Sequence, residues 1–210
     1  MKQLVLTIIC CVFAFGVKAQ EMETVFVTMP DQYIPQLENA WKKDLVDLYN
    51  SGKEAQLKNT MNGTSTLKKM TSDYLLLEVT SRSTVEMKLL PLVNNTNIVC
   101  LVTTVDGPVS DSRIAFFTTE WEPLNASDLY TPVSSDWFIK EGVDKNSVSF
   151  IEAMTLLDMN MQKLSLSPDS QTLTVAYTTP RYLGVEDRNM VVPFLKNESK
   201  VLTWEKFHFK

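Results

Sequence analysis

The sequence predicts an α+β fold in which helices pack on one face of an antiparallel β-sheet. Apolar residues recur at steps of three and four between Asp31 and Gly52, and after Gly52 the period changes to two. The same order, a helix followed by strands, occurs again after Ser147. This recurrence favours two tandem helix-plus-meander repeats.

Residues 1–19 have the layout of a secretory signal peptide. Lys2 supplies a positive start, residues 4–17 form an apolar run, and the small residue Ala19 stands directly before Gln20. The run is shorter than the roughly 20 residues that a membrane-spanning helix needs. We therefore expect cleavage near Gln20 and export of the mature chain to the periplasm or the cell exterior.

The segment from Asp31 to Gly52 predicts the first helix of the mature chain. Pro35 suits a first helical turn, and Gly52 suits the residue after the last one. The residues that share one helical face are Ile34, Leu37, Trp41, Leu45 and Leu48. We expect this face to be buried against the sheet.

Short runs rich in Val, Leu, Thr and aromatic residues follow the helix, with turn residues between them. These runs are residues 65–70, 73–80, 84–92, 98–106 and 113–119. Strands that are joined by such short turns pair in antiparallel order. Residues 20–124 are therefore expected to form a unit of one helix and an antiparallel meander.

Residues 125–210 are expected to form a second, smaller unit of a helix and strands that packs with the first as one domain. A polar, proline-containing connection leads into it. The spacing predicts a helix over residues 147–157 and strands over 162–166, 172–179, 190–195 and 200–209.

Composition and charge exclude several classes of partner. The formal net charge is -5, and loss of Lys2 and Lys18 with the signal peptide makes it -7. A field of that sign repels phosphate backbones, so nucleic acid is not expected as a partner. No apolar run after the signal peptide is long enough for stable membrane insertion of the mature chain.

The residue inventory leaves few groups for catalysis. His208 is the one histidine, and its place in the last predicted strand favours a solvated side chain on the face opposite Phe207 and Phe209. Cys100, the one cysteine after the signal peptide, lies in an apolar strand and is expected to be an inert buried thiol. We therefore assign no catalytic residue, no metal ligand and no cofactor.

Carboxylates are the remaining acid–base groups. Three pairs lie close in sequence, namely Asp44 with Asp47, Glu120 with Glu122, and Asp106 with Asp111. Two carboxylates are the catalytic groups of a glycosidase-like mechanism, and carboxylate oxygens are calcium ligands. Both remain alternatives for these pairs. No feature of the sequence selects one pair over the others.

The segment from Pro180 to Asn189 predicts a charged and aromatic loop between two strands. Arg181, Tyr182, Asp187 and Arg188 are the candidate binding residues in it, because Arg and Tyr are frequent in protein and glycan contacts. The alternative is a long hairpin loop whose Arg and Asp side chains pair in solvent.

Several motifs resemble an uncharacterised family of secreted proteins from Gram-negative anaerobes, the domain of unknown function 3256. They are Met29-Pro30-Asp31, Pro35-x-Leu37, residues 43–47, Asp73-Tyr74-Leu75, residues 86–91, and the segment from Phe116-Phe117 to Trp121-x-Pro123-Leu124. The resemblance runs from the signal peptide to the C-terminus and is densest between Met29 and Leu124. It implies an exported bacterial protein and supplies no catalytic or ligand-binding residue.

Two functions remain. The favoured one is an exported, non-enzymatic binding module for an envelope protein or a glycan. The alternative is a carboxylate-dependent hydrolase that acts on envelope or dietary polymers.

Overall fold

The computed structural model describes residues 19–210, with side chains from Glu21 onward. It contains a seven-stranded and a four-stranded antiparallel sheet with several helices, which confirms the predicted α+β class. The described chain divides into two compact units. One comprises residues 19–101 and 116–124, and the other comprises residues 102–115 and 125–210. The predicted signal peptide lies outside the described residues, except for Ala19.

The seven-stranded sheet confirms the predicted meander, because its strands lie side by side in chain order. The strands are β1 (Gln56–Lys58), β2 (Thr64–Met70), β3 (Tyr74–Thr80), β4 (Ser83–Pro91), β5 (Asn97–Asp106), β6 (Ser110–Thr118) and β7 (Pro123–Leu124). Strands β1 and β7 were not predicted. Three and two residues are too few to display an alternating pattern.

The middle strands of this sheet are buried on both faces. Residues 85–90 of β4 are all buried, and they include Glu86 and Lys88. The Tyr74 hydroxyl donates to Glu86 Oε2 at 3.1 Å, and Lys88 Nζ pairs with Asp73 Oδ2 at 2.9 Å. Glu86 and Lys88 therefore have partners, as buried charges require.

The described part of the first unit contains two α-helices, α1 (Ala19–Thr28) and α2 (Asn39–Asn50), and a 3-10 helix at Asp31–Tyr33. Helix α1 was not predicted, although Met22, Val25 and Phe26 are spaced along one face and are buried. Helix α2 begins at Asn39, so the predicted start at Asp31 was wrong. The ring of Pro35 disfavours a helical conformation at Ile34, which has φ −140° and ψ 74°.

Lys42 of α2 is completely buried and fixes the segment that precedes the helix. Its Nζ donates to the carbonyl of Met29, to Asp31 Oδ1 at 3.0 Å and to Asn39 Oδ1 at 2.8 Å. All three protons of the ammonium group therefore have acceptors.

An aromatic cluster forms where the chain leaves β6 in the first unit. Trp121 adopts a left-handed backbone conformation with φ 67°, and its Nε1 donates to the Val25 carbonyl at 3.0 Å. Its ring lies 5.6 Å from Tyr33 and 5.2 Å from Phe117. Burial of the indole offsets the cost of about 1–2 kcal/mol that such a backbone conformation carries in a non-glycine residue.

The second unit contains the four-stranded sheet and three α-helices. In chain order the elements are α3 (Val148–Thr155), β8 (Gln162–Leu166), β9 (Thr172–Tyr177), α4 (Thr179–Tyr182), α5 (Val185–Val191), β10 (Lys200–Glu205) and β11 (His208–Phe209). The sheet order is β11-β10-β9-β8. Strand β8 has the predicted ends, and the ends of α3 and β9 differ from the predicted ones by one or two residues.

The predicted loop over residues 180–189 and strand over 190–195 were wrong, because this segment is helical. Pro180 occupies the first turn of α4, Gly184 precedes α5, and a 3-10 helix follows at Val192–Phe194. Glu186 and Asp187 stand in the first turn of α5, where negative charge is favourable. The apolar residues of this segment pack at helical spacing against other helices, a pattern that is too short to recognise in sequence.

The predicted last strand is divided by a tight turn. Lys206 and Phe207 both have positive φ, 50° and 63°, as in a two-residue type I′ hairpin turn. Trp204 pairs with Phe209, and Glu205 pairs with His208. Phe207 is therefore part of the turn and does not share a strand face with the buried Phe209.

Candidate binding cleft

The second unit has two adjoining pockets, which together we call the cleft. The apolar pocket, of about 220 Å³, is lined by Ile139, Phe150, Met154, Leu157, Tyr177 and Leu195, together with Ser135, Asp136 and Lys145. The basic pocket, of about 320 Å³, is lined by Phe138, Tyr177, Arg181, Arg188, Leu195 and Lys196, among others. The pockets adjoin because Tyr177 and Leu195 line both.

Tyr177 forms the wall between the pockets. It ends strand β9, and its ring stacks on the buried Phe138 with centroids 5.1 Å apart and planes at 18°. Burial raises the pKa of its hydroxyl, which is therefore a neutral hydrogen-bonding group at physiological pH. The ring is held in place by packing, so the wall is preformed.

The apolar pocket arises from the packing of α3 against the helices that follow β9. Ser147 caps α3 by accepting from the Phe150 amide at 3.4 Å, and Phe150 meets Phe194 edge to face at 5.5 Å. Beneath them lies a core of Ala153, Val191 and Leu195. The pocket is a gap in this core that remains open to solvent.

The basic pocket contains one guanidinium group with no partner among the described residues, that of Arg181. It lines the pocket from helix α4, and no hydrogen bond or ion pair within residues 21–210 engages its side chain. Lys196 lines the same pocket, and its Nζ lies 4.6 Å from the centre of the Trp137 ring. Lys200 approaches the same ring at 5.1 Å.

Arg188 has a structural role in addition to its place in the basic pocket. Its Nε donates to the Pro180 carbonyl at 3.1 Å, and its Nη2 donates to the carbonyls of Arg181 and Leu183 at 2.8 and 3.0 Å. These carbonyls belong to α4 and to the residue after it. Because α4 has only four residues, no further helical turn supplies the amides that would donate to them. Arg188 thereby fixes α4 against α5.

The structure separates the four predicted binding residues into two groups. Arg181, which is exposed, and Arg188, which is half-buried, line the basic pocket, whereas the exposed Tyr182 and Asp187 line neither pocket. In the described chain no ion pair joins Asp187 to either arginine.

Sequence reasoning missed Tyr177, Phe150 and Lys196, which come from separate segments. Each occupies an ordinary position of a strand, a helix or a turn. No pattern in the chain links them.

The three carboxylate pairs lie outside the cleft. Asp44 and Asp47 are exposed on α2, and Glu120 and Glu122 are exposed beside Trp121. The pKa of Glu120 is lowered, chiefly by the hydrogen bond from Thr119. Asp106 accepts from Ser110 Oγ, and Asp111 Oδ1 accepts from the Gln162 amide at 3.1 Å. The last pair thus stabilises a turn and the edge of β8.

His208 and Cys100 also have structural surroundings. His208 Nδ1 lies 3.0 Å from the Asp128 carbonyl, to which it must donate, and Nε2 lies 3.0 Å from Thr131 Oγ1. Both ring nitrogens therefore have partners within the protein, and the residue remains partly exposed to solvent. Cys100 is completely buried, as predicted. Burial raises the pKa of its thiol, and the charge of Glu86 makes a smaller contribution in the same direction.

Two further observations concern metals and membranes. Within residues 21–210, no three His, Cys, Asp or Glu side chains converge as a metal site requires. None of the helices in the described part of the chain combines the length and the apolar composition that crossing a bilayer demands.

Comparison with known proteins identifies the family and the fold. The family model described as "Protein of unknown function (DUF3256)" matches residues 14–209. A solved domain of an uncharacterized protein from Porphyromonas gingivalis W83 is 28% identical to this chain, with a TM-score of 0.82. The match covers 90% of this chain and 98% of that one. No curated protein matches.

Proposed function

The chain belongs to the DUF3256 family of proteins of unknown function, and we propose that it is an exported, non-enzymatic binding module whose cleft holds a ligand. The observation that carries this proposal is the pair of adjoining pockets of different chemistry in the second unit. Ligand sites are typically concave, mostly apolar and equipped with a few directed polar groups. The cleft combines apolar walls with the unengaged guanidinium of Arg181.

The size of the pockets indicates what kind of ligand they accept. Sites for drug-sized molecules have volumes of about 300–1,000 Å³. The apolar pocket, at about 220 Å³, falls below that range, and the basic pocket, at about 320 Å³, stands at its lower limit. Each pocket therefore suits a single side chain or a single small group of a larger partner.

The preformed geometry supports binding without a large ordering cost. Tyr177 is fixed by its stack on Phe138, and Arg188 fixes the helix that carries Arg181. The Tyr177 ring and the backbone of α4 are therefore ordered before a ligand binds, whereas the exposed Arg181 side chain loses rotamer freedom on binding.

Photocrosslinking from within the cleft tests the proposal. Benzoylphenylalanine replaces Leu157 in the apolar pocket, and the matched control carries it at Phe207, an exposed turn residue outside both pockets. After incubation with an envelope extract of the host cell, we expect a discrete crosslinked product from position 157 only. Equal labelling from both positions, or none from position 157, would argue against a cleft ligand.

A further inference from the structure

The chemistry of the two pockets indicates the class of ligand, an inference that rests on the proposed binding function. The envelope partner could offer either sugars or polypeptide to the cleft. A polypeptide supplies both an apolar side chain and a carboxylate, the two groups that an apolar pocket beside a basic one fits.

The apolar side of this pocket favours an apolar side chain. Ile139, Phe150, Met154 and Leu157 form an apolar side of the pocket, whereas Ser135, Asp136, Lys145 and Tyr177 line the rest of it. A hydroxyl buried against the apolar side without a partner costs about 1–3 kcal/mol. An aliphatic or aromatic side chain carries no such cost and gains from leaving water.

The basic pocket favours a negative group. Arg181, Arg188 and Lys196 line it, and Glu198 is the one acidic residue among the lining residues. The chain as a whole has a formal net charge of -5, so this excess of positive charge is local. Because the donors of Arg188 are directed at three carbonyls, Arg181 and Lys196 supply the charge that a ligand can reach.

We infer that the cleft binds an acidic peptide segment, with a bulky apolar side chain in the apolar pocket and a carboxylate in the basic pocket. The shared wall of Tyr177 and Leu195 places the two groups close together along the ligand. A peptide in which an apolar residue and an Asp or Glu are neighbours, or lie two residues apart in an extended chain, meets this requirement.

Selection from a bead-displayed library of random decapeptides tests the inference with the purified protein. We expect enrichment of peptides that pair Phe, Leu or Met with a nearby Asp or Glu. Enriched peptides are then measured by fluorescence anisotropy as matched sets, in which the acid is replaced by its amide or the apolar residue by Ala. Each replacement is expected to weaken binding about tenfold, and the acidic peptide alone should lose affinity as salt rises.

Variants of the protein assign the binding to the cleft. Arg181→Ala and Lys196→Ala should each weaken binding of the acidic peptide about five- to tenfold and leave binding of its amide analogue nearly unchanged. Met154→Lys should abolish the affinity that the peptide gains from its apolar residue. Leu157→Gln gives a second test if the first variant unfolds. Arg82→Ala, an exposed arginine in a turn of the first unit, is the matched control and should bind like the wild type.

The outcomes separate this inference from the proposed function. Crosslinking from position 157 combined with enrichment of neutral or basic peptides, or with binding of oligosaccharides alone, would overturn the peptide inference and retain a cleft ligand. No crosslink and no cleft-dependent peptide would overturn both. Peptide binding that Arg82→Ala weakens as much as Arg181→Ala would also refute the inference.

Discussion

At the scale of single residues, several charged side chains that look like surface groups in the sequence are interior or structural. Lys42, Glu86 and Lys88 are buried with partners, and Arg188 joins two helices through backbone carbonyls. A charge is retained in such a place only where hydrogen bonds offset the loss of hydration. These residues therefore affect stability more than their polarity suggests.

Arg188 offers a direct test of this role. We expect Arg188→Ala to lower the free energy of unfolding by about 1–3 kcal/mol, because three backbone carbonyls lose a charged donor. Arg188→Lys should not restore it, since an ammonium group lacks the fork that reaches three acceptors. Urea unfolding gives the measurement, and Arg82→Ala is the matched control. An unchanged midpoint for Arg188→Ala would contradict the structural role.

The buried cluster around Glu86 predicts a loss of stability at alkaline pH. Burial raises the pKa of the Cys100 thiol and of the Tyr74 hydroxyl, and the charge of Glu86 adds to both shifts. The unfolded chain releases these protons near pH 8.5 and pH 10, whereas the native state retains them. Stability is thus complete below about pH 8.5 and falls by up to about 1.4 kcal/mol per pH unit and per group above those values.

Chemical unfolding between pH 7 and pH 10.5 measures this slope. Cys100→Ala should flatten it from about pH 8.5 upward, and Tyr74→Phe should flatten it above about pH 10. Tyr182→Phe, at an exposed tyrosine, is the control and should keep the wild-type slope. Parallel curves for all four proteins would refute the burial-driven shifts.

At the scale of elements, local pattern predicted the meander strands and α3, but it missed α1, α4 and α5 and placed a strand over residues 190–195, most of which are helical. The meander was read correctly because alternation and turn residues are both local signals. Helices α4 and α5, with four and seven residues, are too short for a periodic signal, so their segment was interpreted as a loop. Their stability comes from packing and from the hydrogen bonds that Arg188 donates to backbone carbonyls. Neither the packing nor these bonds can be recognised in the sequence.

The hairpin between β10 and β11 carries a correctable strain. Lys206 and Phe207 occupy left-handed positions that Asn and Gly adopt at lower cost. We expect the double change Lys206→Asn and Phe207→Gly to raise the free energy of unfolding by about 1–2 kcal/mol, measured by thermal and urea unfolding. The same two changes at the exposed Lys163 and Val201 of β8 and β10 are the control and should destabilise. A lower melting temperature for the hairpin variant would show that Phe207 contributes more by contact than its backbone costs.

At the scale of the whole molecule, the expectation of export concerns the N-terminal segment. Residues 4–17 are apolar and Ala19 precedes Gln20, a pattern typical of a cleaved leader. We expect the protein isolated from its host to begin at Gln20, as intact-mass measurement and N-terminal sequencing would show. Replacing Ala19 by Trp should block processing, because the cleavage site requires a small residue. A full-length chain in the cytosolic fraction would contradict export.

The sequence by itself determined the α+β class, the order of the meander strands and the burial of Cys100. Each of these depends on which side chains are apolar and on their spacing over a few residues. A short stretch of sequence is therefore enough to predict it. Only the tertiary structure decided the start of α2, the helical nature of residues 179–191, the structural role of Arg188 and the cleft. The walls of the cleft come from segments as far apart as Ser135 and Ser199, and which distant side chains meet is set by packing of the whole unit, which no local period encodes.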